Sequence, residues 1–407
     1  MHAVLAPARL PQMPVDLAKL NTLDDFDPRG QRVLVRADFN VPLSDGEILD
    51  DRRILATLPT LRRLLAEGAA LVLAAHLGRP GGRPDPALSL RPVGQRLQDA
   101  LEGRVTLAPD SIGRTTRHAA AALAAGEILL LENTRFHAGE KNNDKAYAAA
   151  LAELADYFVN DAFGTLHRAH ASTVGVAELL PSAAGLLVTK ELTALDPAAR
   201  SPAHPYVVVV GGAKIGSKLA AMRKLLASTD RVLAGGGVAN TLLAARGHSL
   251  GDSLVAEDCM DAAADLLATA GEQLVLPLDV VIADGPAENA TTKVVPVGDL
   301  EPGWRIVDIG PQTVSQFEQE IAAAATIAWS GPLGRFEIAR FSKGTFAIAC
   351  AVGNAEGYTV VGGGDTASAL RAAQAEAGVD HISTGGGASL AYLCGDRLPG
   401  LEVLQKR

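Results

Sequence analysis

Four times along this chain a short apolar or β-branched run ends in consecutive glycines and then in small residues able to open a helix. VVVVGGAKIGSKLA covers Val207–Ala220, RVLAGGGVAN Arg231–Asn240, YTVVGGGDTASA Tyr358–Ala369 and HISTGGGASL His381–Leu390. Strand, glycine turn and helix form the repeating unit of an α/β protein with a parallel sheet. Packing at a crossover asks for one such close approach, not four. Several helix amino termini aimed at one crevice make a site for a polyanion, because unpaired N–H groups and helix dipoles both favour negative charge there.

The first turn also carries two lysines four residues apart. Glycines let backbone amides approach phosphate oxygens, while Lys214 and Lys218 supply fixed positive charge. The spacing from Gly211 to Gly216 copies the start of a P-loop, but Ser217 separates Gly216 from Lys218, so the lysine and hydroxyl order of that motif is broken. A dinucleotide fingerprint fails as well, since Gly216 lies too far from Gly212 and no fitting third glycine follows. In the third turn Asp365 directly follows Gly364 at a helix start, which suits a magnesium-linked carboxylate beside phosphates; the alternative is a plain N-cap aspartate. Thr366 offers a hydroxyl to phosphate. Glu337, at the end of WSGPLGRFE, either holds a ribose hydroxyl or is a surface acid on a turn.

Length and charge bound the partners. A chain of 407 residues exceeds what one core usually supports, so about two domains of near 200 residues are expected. Abundant alanine and glycine with V-V-L runs predict strands covered on both faces by helices. The formal charge of −9 argues against nonspecific nucleic-acid binding, so any anionic ligand is held by a local cluster. Cys259, Cys350 and Cys394 have no metal spacing and an odd count, which points to thiols in a reducing compartment. With no secretory apolar region and no apolar run long enough for a bilayer, a cytoplasmic protein without membrane partners is expected.

The amino-terminal half supplies basic groups at strand ends. Strands are read at Arg32–Ala37, Ala70–Ala75, Ile128–Leu131 and Tyr157–Asn160, with helical patterns at Arg53–Glu67 and Asp144–Ala155 between them. The strands run into DFNVPL with Asp38 and Asn40, HLGRP with His76 and Arg79, ENTRF with Arg135, and DAFGTLHRAH with Arg168 and His170. In open parallel sheets the carboxyl ends of the strands are where ligands bind. Arginine forks match planar carboxylates and phosphate oxygens, so these residues describe a basic pocket for a small phosphorylated acid. Bland alternatives stay open: Arg36 buried in a pair with Asp38, Arg53 on the surface near a helix start, and His76 or His170 satisfying core hydrogen bonds. A domain break falls at about Leu180–Leu195, where Pro/Ser turns give way to a short helix.

Taken together, VLVRADFNVPL, HLGRP, LLENTRFHAGE, NDAFGTLHRAH, GGAKIGSKL, LAGGG, WSGPLGRFE, FSKGT, VGGGDTASA and HISTGGGASL resemble the phosphoglycerate kinase family over about residues 21–400. The resemblance implies two Rossmann-like three-layer α/β/α domains with mainly parallel sheets, joined by a hinge helix. Residues 1–184 would bind 3-phosphoglycerate or 1,3-bisphosphoglycerate, 185–390 magnesium with ATP or ADP, and 391–407 would pack back on the first domain. It further implies a glycolytic and gluconeogenic kinase, a monomer whose hinge closes the cleft. On this basis Asp38, Asn40, Arg53, His76, Arg79, Arg135 and Arg168 are the acid-substrate residues, with Arg53 the catalytic arginine and neighbouring Arg52 a one-position ambiguity. Lys214 follows the transferred phosphoryl group and Lys218 binds nucleotide phosphate. Gly363, Gly364, Asp365 and Thr366 form the phosphate and magnesium loop, and Gly386 and Gly387 stabilise the phosphoryl group after closure. Gly235 and Gly236 approach the adenine, with Pro332 nearby and Glu337 on the ribose.

Four positions depart from the family pattern. Ser330 replaces an asparagine, so one nucleotide contact is expected to be shortened or bridged by water, and Arg335 adds charge near the nucleotide or points to solvent. Ala391 and Cys394 replace acids in a segment expected to touch the hinge. Two other classes are weighed against the kinase. A noncatalytic anion-binding relative should lose some of Arg53, Lys214, Lys218 or Asp365, all present here. A dehydrogenase should show a proper glycine fingerprint with a ribose acid some twenty residues on. A kinase for a different small carboxylic acid is the nearest enzyme rival.

Overall fold

The computed structural model describes residues 16–406, so the first fifteen residues of the expected 1–184 domain, and Arg407, lie outside the described residues. The described chain forms two compact units. One holds the residues up to Thr193 together with the return from Arg397, and the other holds Ala194–Asp396. The 15-residue helix Leu186–Arg200 contributes its first part to one unit and its last part to the other.

In the first unit the strands are β1 (Arg32–Arg36), the hairpin β2 (Leu43–Ser44) and β3 (Glu47–Ile48), β4 (Ala70–Ala74), β5 (Val105–Leu107), β6 (Ile128–Leu130), β7 (Tyr157–Asn160) and β8 (Ser182–Ala184). Asp45 and Gly46 both have positive φ, as the tight turn of the hairpin requires. Six strands form one sheet in the order β5-β6-β4-β1-β7-β8, with every pair parallel. Val33, Val35, Leu71, Leu73 and Leu130 pack beneath Ile54, Leu58 and Leu61 of the helix Arg52–Ala66, whose apolar residues recur at helical spacing. The chain leaves β1 for β4 on one side and reaches β7 on the other. The carboxyl ends of these central strands therefore open at a topological switch point.

The carboxyl-terminal return is built into this unit. Gly400 N–H donates to Leu166 O at 3.0 Å and Asn21 N–H to Leu404 O at 2.9 Å, while Leu401 and Leu404 are fully buried. At the start of the helix Leu186–Arg200, Asp161 Oδ1 accepts the Leu187 N–H at 2.9 Å and Thr60 Oγ1 accepts that of Leu186 at 2.9 Å. A Cβ on Gly185 would lie 2.1 Å from Asp161 Oδ1, so glycine is what lets the carboxylate reach the helix end.

The second unit continues with β9 (Tyr206–Val210), β10 (Arg231–Ala234), β11 (Leu274–Val275), β12 (Asp279–Ala283), β13 (Thr292–Pro296), β14 (Arg305–Ile309), β15 (Thr326–Ser330), β16 (Tyr358–Gly362) and β17 (His381–Ser383). Its main sheet has the order β11-β10-β9-β15-β16-β17, again parallel throughout. β12 pairs antiparallel with β13 and β14 in a separate small sheet. The sequence pattern names no such sheet, because β13 is largely exposed and carries no sustained apolar run. Buried carboxylates hold helix ends here too: Asp279 accepts the N–H groups of Gln312 and Thr313, and Asp308 that of Gly344. Among the described residues no helix is long and apolar enough to cross a membrane.

Burial pushes the Asp161 carboxyl up to about 7, and its second oxygen is buried without a hydrogen-bond partner, the place for the proton. A folded value raised above the unfolded one means that stability falls as pH rises from about 4 to about 7. Replacing Asp161 with Asn removes that ionisation. Denaturant unfolding at pH 4.5 and 7.5 should show the variant gaining roughly 2 kcal/mol on the wild type between the two. Parallel pH dependence in both proteins would contradict the assignment.

Candidate active site

The predicted basic residues of the first unit lie at the carboxyl ends of β1, β4, β6 and β7 and at the start of the helix Arg52–Ala66. Arg36, the last residue of β1, is fully buried, yet its partner is not Asp38. Its Nε donates to Ser172 Oγ at 2.8 Å, Nη2 to His76 Nδ1 at 3.0 Å, and Nη1 to Ala37 O. Ser172 in turn donates from Oγ and N to the two carboxylate oxygens of Glu140, at 2.5 and 3.0 Å. Glu140 is fully buried, and its charge favours the protonated Arg36 against the burial that pulls the guanidinium down.

Asp38 is left to Arg53, whose Nη1 donates to Asp38 Oδ2 at 2.9 Å. The Arg53 side chain stands about one-third exposed beside a nearly buried carboxylate. Arg52 instead pairs with Asp50 at the helix start. Successive residues at a helix start point in different directions, so only Arg53 of the two lies against the end of β1. Asn40 Oδ1 accepts the Gly78 N–H at 2.8 Å, which fixes the turn that carries Arg79, and Arg79 is exposed. Arg135 Nη1 donates to Gly78 O at 2.7 Å, and its Nε is buried without a partner. Arg168 is exposed and donates from Nε to His167 Nε2 at 3.0 Å.

These cations depress one another. Burial, then Arg36 and Arg168, lower Arg135 to about 10. Burial, then Arg36 and Arg135, hold His170 at about 4, and burial with Arg168 does the same to His167. His76, 4% exposed, is driven well below the ordinary histidine range by burial first and Arg36 second. The pocket is therefore a concentrated positive field with neutral imidazoles, the arrangement that an incoming polyanion relieves.

In the second unit the glycine turns sit on the carboxyl edge of one sheet. A Cβ on Gly211 would lie 2.2 Å from Pro332 O, and one on Gly331 would lie 2.2 Å from Gly211 O. The turns after β9 and β15 thus pack backbone against backbone at the switch point of the strand order. The turn after β10 joins them, since a Cβ on Gly236 would meet Gly212 N at 3.1 Å and Pro332 O at 3.2 Å, and one on Gly235 would strike Leu333. Gly363 and Gly386 have φ of +106° and +53° and precede the helices Gly364–Ala372 and Gly387–Leu393; a Cβ on Gly386 would come within 4.0 Å of Gly363 Cα. Gly364 faces open space and Gly387 is exposed.

Lys214 is exposed at the start of the helix Ile215–Leu225. Lys218, one turn on, donates to Ser330 O at 2.8 Å and also reaches Ser330 Oγ. Burial, then Lys214, lower Lys218 to about 8. Thr366 is buried, donates to Gly362 O at 3.0 Å and accepts the Gly331 N–H at 2.8 Å, so its hydroxyl ties two turns together. Asp365 is exposed in the first helical turn with no side-chain cap bond, beside the open Gly364. An accessible carboxylate beside an open glycine turn fits magnesium, which binds through one or two carboxylates plus substrate phosphates. Glu337 and Arg335 are both exposed, and Arg335 N–H donates to Val307 O.

Sequence reasoning passed over Glu140 and Ser172, and noted Ser330 only as a departure. Glu140 closes the LLENTRFHAGE motif, and an acid one turn past an arginine-bearing strand end was the available signal.

Comparison with known proteins agrees with this geometry. The family model described as phosphoglycerate kinase matches residues 23–396. The phosphoglycerate kinase of Chloroflexus aurantiacus is 50% identical over 393 residues, covering 94% of this chain and 98% of that protein. That of Roseiflexus castenholzii is 49% identical over 388 residues, with the same coverage. Among solved structures, the phosphoglycerate kinase from Pyrococcus horikoshii superposes with a TM-score of 0.85 at 32% identity, and that from Coxiella burnetii with 0.80 at 38%; each covers 95% of this chain and 98% of its own. With two parallel sheets, a cluster of arginines on one and glycine turns on the other, the chain belongs to the phosphoglycerate kinase family.

Proposed function

We propose that the unit containing Arg53 binds the phosphorylated acid, that the unit with the glycine turns binds the magnesium nucleotide, and that charge placement rather than acid–base chemistry drives transfer. The enzyme is a phosphoglycerate kinase, moving a phosphoryl group reversibly between 1,3-bisphosphoglycerate and ADP to give 3-phosphoglycerate and ATP. The acceptor in either direction is already an anion, so no protein base is required. What the transition state needs is in-line approach and cover for three equatorial oxygens.

The observation that carries the residue assignment is the pairing of Arg53 with Asp38 at the end of β1 while Arg52 is spent on Asp50. In this reading Asp38 aims Arg53, Asn40 steadies the turn bearing Arg79, and His76, Arg79, Arg135 and Arg168 hold the carboxylate and phosphate of the acid. Lys214 accompanies the phosphoryl group and Lys218 holds nucleotide phosphate, with the amides of Gly363, Gly364, Gly386 and Gly387 completing the cradle. Thr366 clamps the cradle to Gly331, and Gly235, Gly236, Pro332 and Glu337 take the nucleoside. Magnesium brought with the nucleotide, held by Asp365 and phosphate oxygens, supplies neutralising charge. Arg53 and Lys214 each supply charge to the transferring phosphoryl group, and exclusion of water protects the acyl phosphate from hydrolysis. Every group named comes from one chain, so the reading asks only for a monomer.

Arg53→Ala should lower kcat for transfer from ATP to 3-phosphoglycerate by about a hundredfold to a thousandfold with the fold intact. Arg52→Ala should stay within about threefold of wild type. Steady-state kinetics with circular dichroism decides between them, and the reverse ranking would move the catalytic role to Arg52.

Lys218 binds phosphate as an ammonium, and in the free protein it loses its proton near pH 8. Calorimetric titration with magnesium ADP should therefore show affinity falling by about tenfold from pH 7 to pH 9. Lys218→Arg keeps its charge and should flatten that dependence. Equal slopes in the two proteins would remove Lys218 from the phosphate site.

A further inference from the structure

Behind the substrate residues lies a relay whose first three members have no role assigned above. It runs from the Glu140 carboxylate through Ser172 to Arg36 and ends on His76 Nδ1. All four residues are buried, Glu140 and Arg36 completely. A guanidinium carries donors only. The 3.0 Å contact from Arg36 Nη2 therefore requires a lone pair on His76 Nδ1, and the imidazole proton must then sit on Nε2.

We propose that Glu140 and Ser172 are positioning residues that hold Arg36 so as to fix His76 as a neutral imidazole whose Nε2–H donates to an anionic oxygen of the acid substrate. Three contacts leave Arg36 little freedom: Nε on Ser172, Nη1 on Ala37 O and Nη2 on His76. Ser172 works as a two-way joint, since its hydroxyl accepts from Arg36 and donates to Glu140 while its N–H donates to the other carboxylate oxygen. Remove the hydroxyl and the guanidinium loses the link to its counter-charge; remove the carboxylate charge and a buried cation is left uncompensated. Either change frees Arg36 to shift, and His76 then loses the donor that selects its tautomer. The neighbouring cations act in the same sense, because burial and Arg36 oppose a second proton on His76. His76 would thus contribute a fixed, uncharged donor among the arginines, adding direction without adding repulsion.

This inference rests on His76 lying in the acid site, so the test separates the two. Histidine-labelled protein gives long-range proton–nitrogen correlation spectra that distinguish the tautomers, with His76→Gln identifying the signal. Wild-type His76 should show an unprotonated Nδ1 and a protonated Nε2 from pH 5.5 to 8. Ser172→Ala should convert the signal to the Nδ1–H tautomer or a mixture of tautomers and raise KM for 3-phosphoglycerate about tenfold, with KM for ATP unchanged. Ser172→Thr, which keeps the hydroxyl, should restore the wild-type spectrum. If Glu140→Gln folds, it should behave like Ser172→Ala. A wild-type Nδ1–H tautomer, a protonated imidazole at pH 7, or an unaltered His76 signal in Ser172→Ala would overturn the relay. A shifted tautomer with unchanged KM would uphold the relay and remove His76 from substrate binding.

Discussion

The backbone of Gly211 lies against that of Gly331 and Pro332 with no room for a Cβ on either glycine. Most of the second unit's chemistry depends on that contact. It occurs at the point where the strand order reverses, between β9 and β15, and it lets the Gly235–Gly236 turn close on the same spot. Thr366 ties the third turn to Gly331, and a Cβ on Gly386 of the fourth would lie 4.0 Å from Gly363 Cα of the third. A set of helix starts is thereby drawn onto one sheet edge, where N–H groups and dipoles favour phosphate. Any side chain larger than hydrogen at Gly211 would push the Lys214–Lys218 segment off the edge that it serves.

The first unit solves the opposite problem. Its sheet edge collects positive charge from side chains, and like charges in a partly desolvated pocket repel. Two acids answer this at different depths. Glu140 compensates Arg36 in the core through Ser172, and Asp38 compensates Arg53 at the rim. The imidazoles stay neutral, so His76, His167 and His170 add hydrogen-bonding capacity without adding to the field. An anionic ligand would complete the charge balance, so the arrangement suits a phosphorylated acid better than proton chemistry.

Much of this was legible in the residues because period and punctuation are local. Short apolar runs ending in glycine or in polar or basic residues located β1, β4, β6 and β7 to within a residue or so, together with β9, β10, β16 and β17. What escaped was set by long-range partners. Ser172 meets Arg36 across 136 residues, and Ser330 meets Lys218 across 112. No local pattern announces such pairs. The linking helix, read as short within Leu180–Leu195, runs on to Arg200 because Ala194 and Asp196 are held from elsewhere in the chain, by Tyr358 and Tyr392 hydroxyls at 2.8 and 2.7 Å. Ser330 shows how a departure is reinterpreted in space: the smaller residue is engaged by Lys218 rather than leaving an empty contact.

The central claim is that transfer is driven by placed charge and not by a protein acid or base. Rapid-quench measurement of a single turnover, with both substrates saturating, from pH 6 to 9 in ordinary and heavy water, tests it most directly. The account predicts a transfer rate nearly independent of pH and a solvent isotope effect near unity, because no proton moves in the transferring step. A bell-shaped rate profile with a substantial normal isotope effect would show a proton in flight and contradict it.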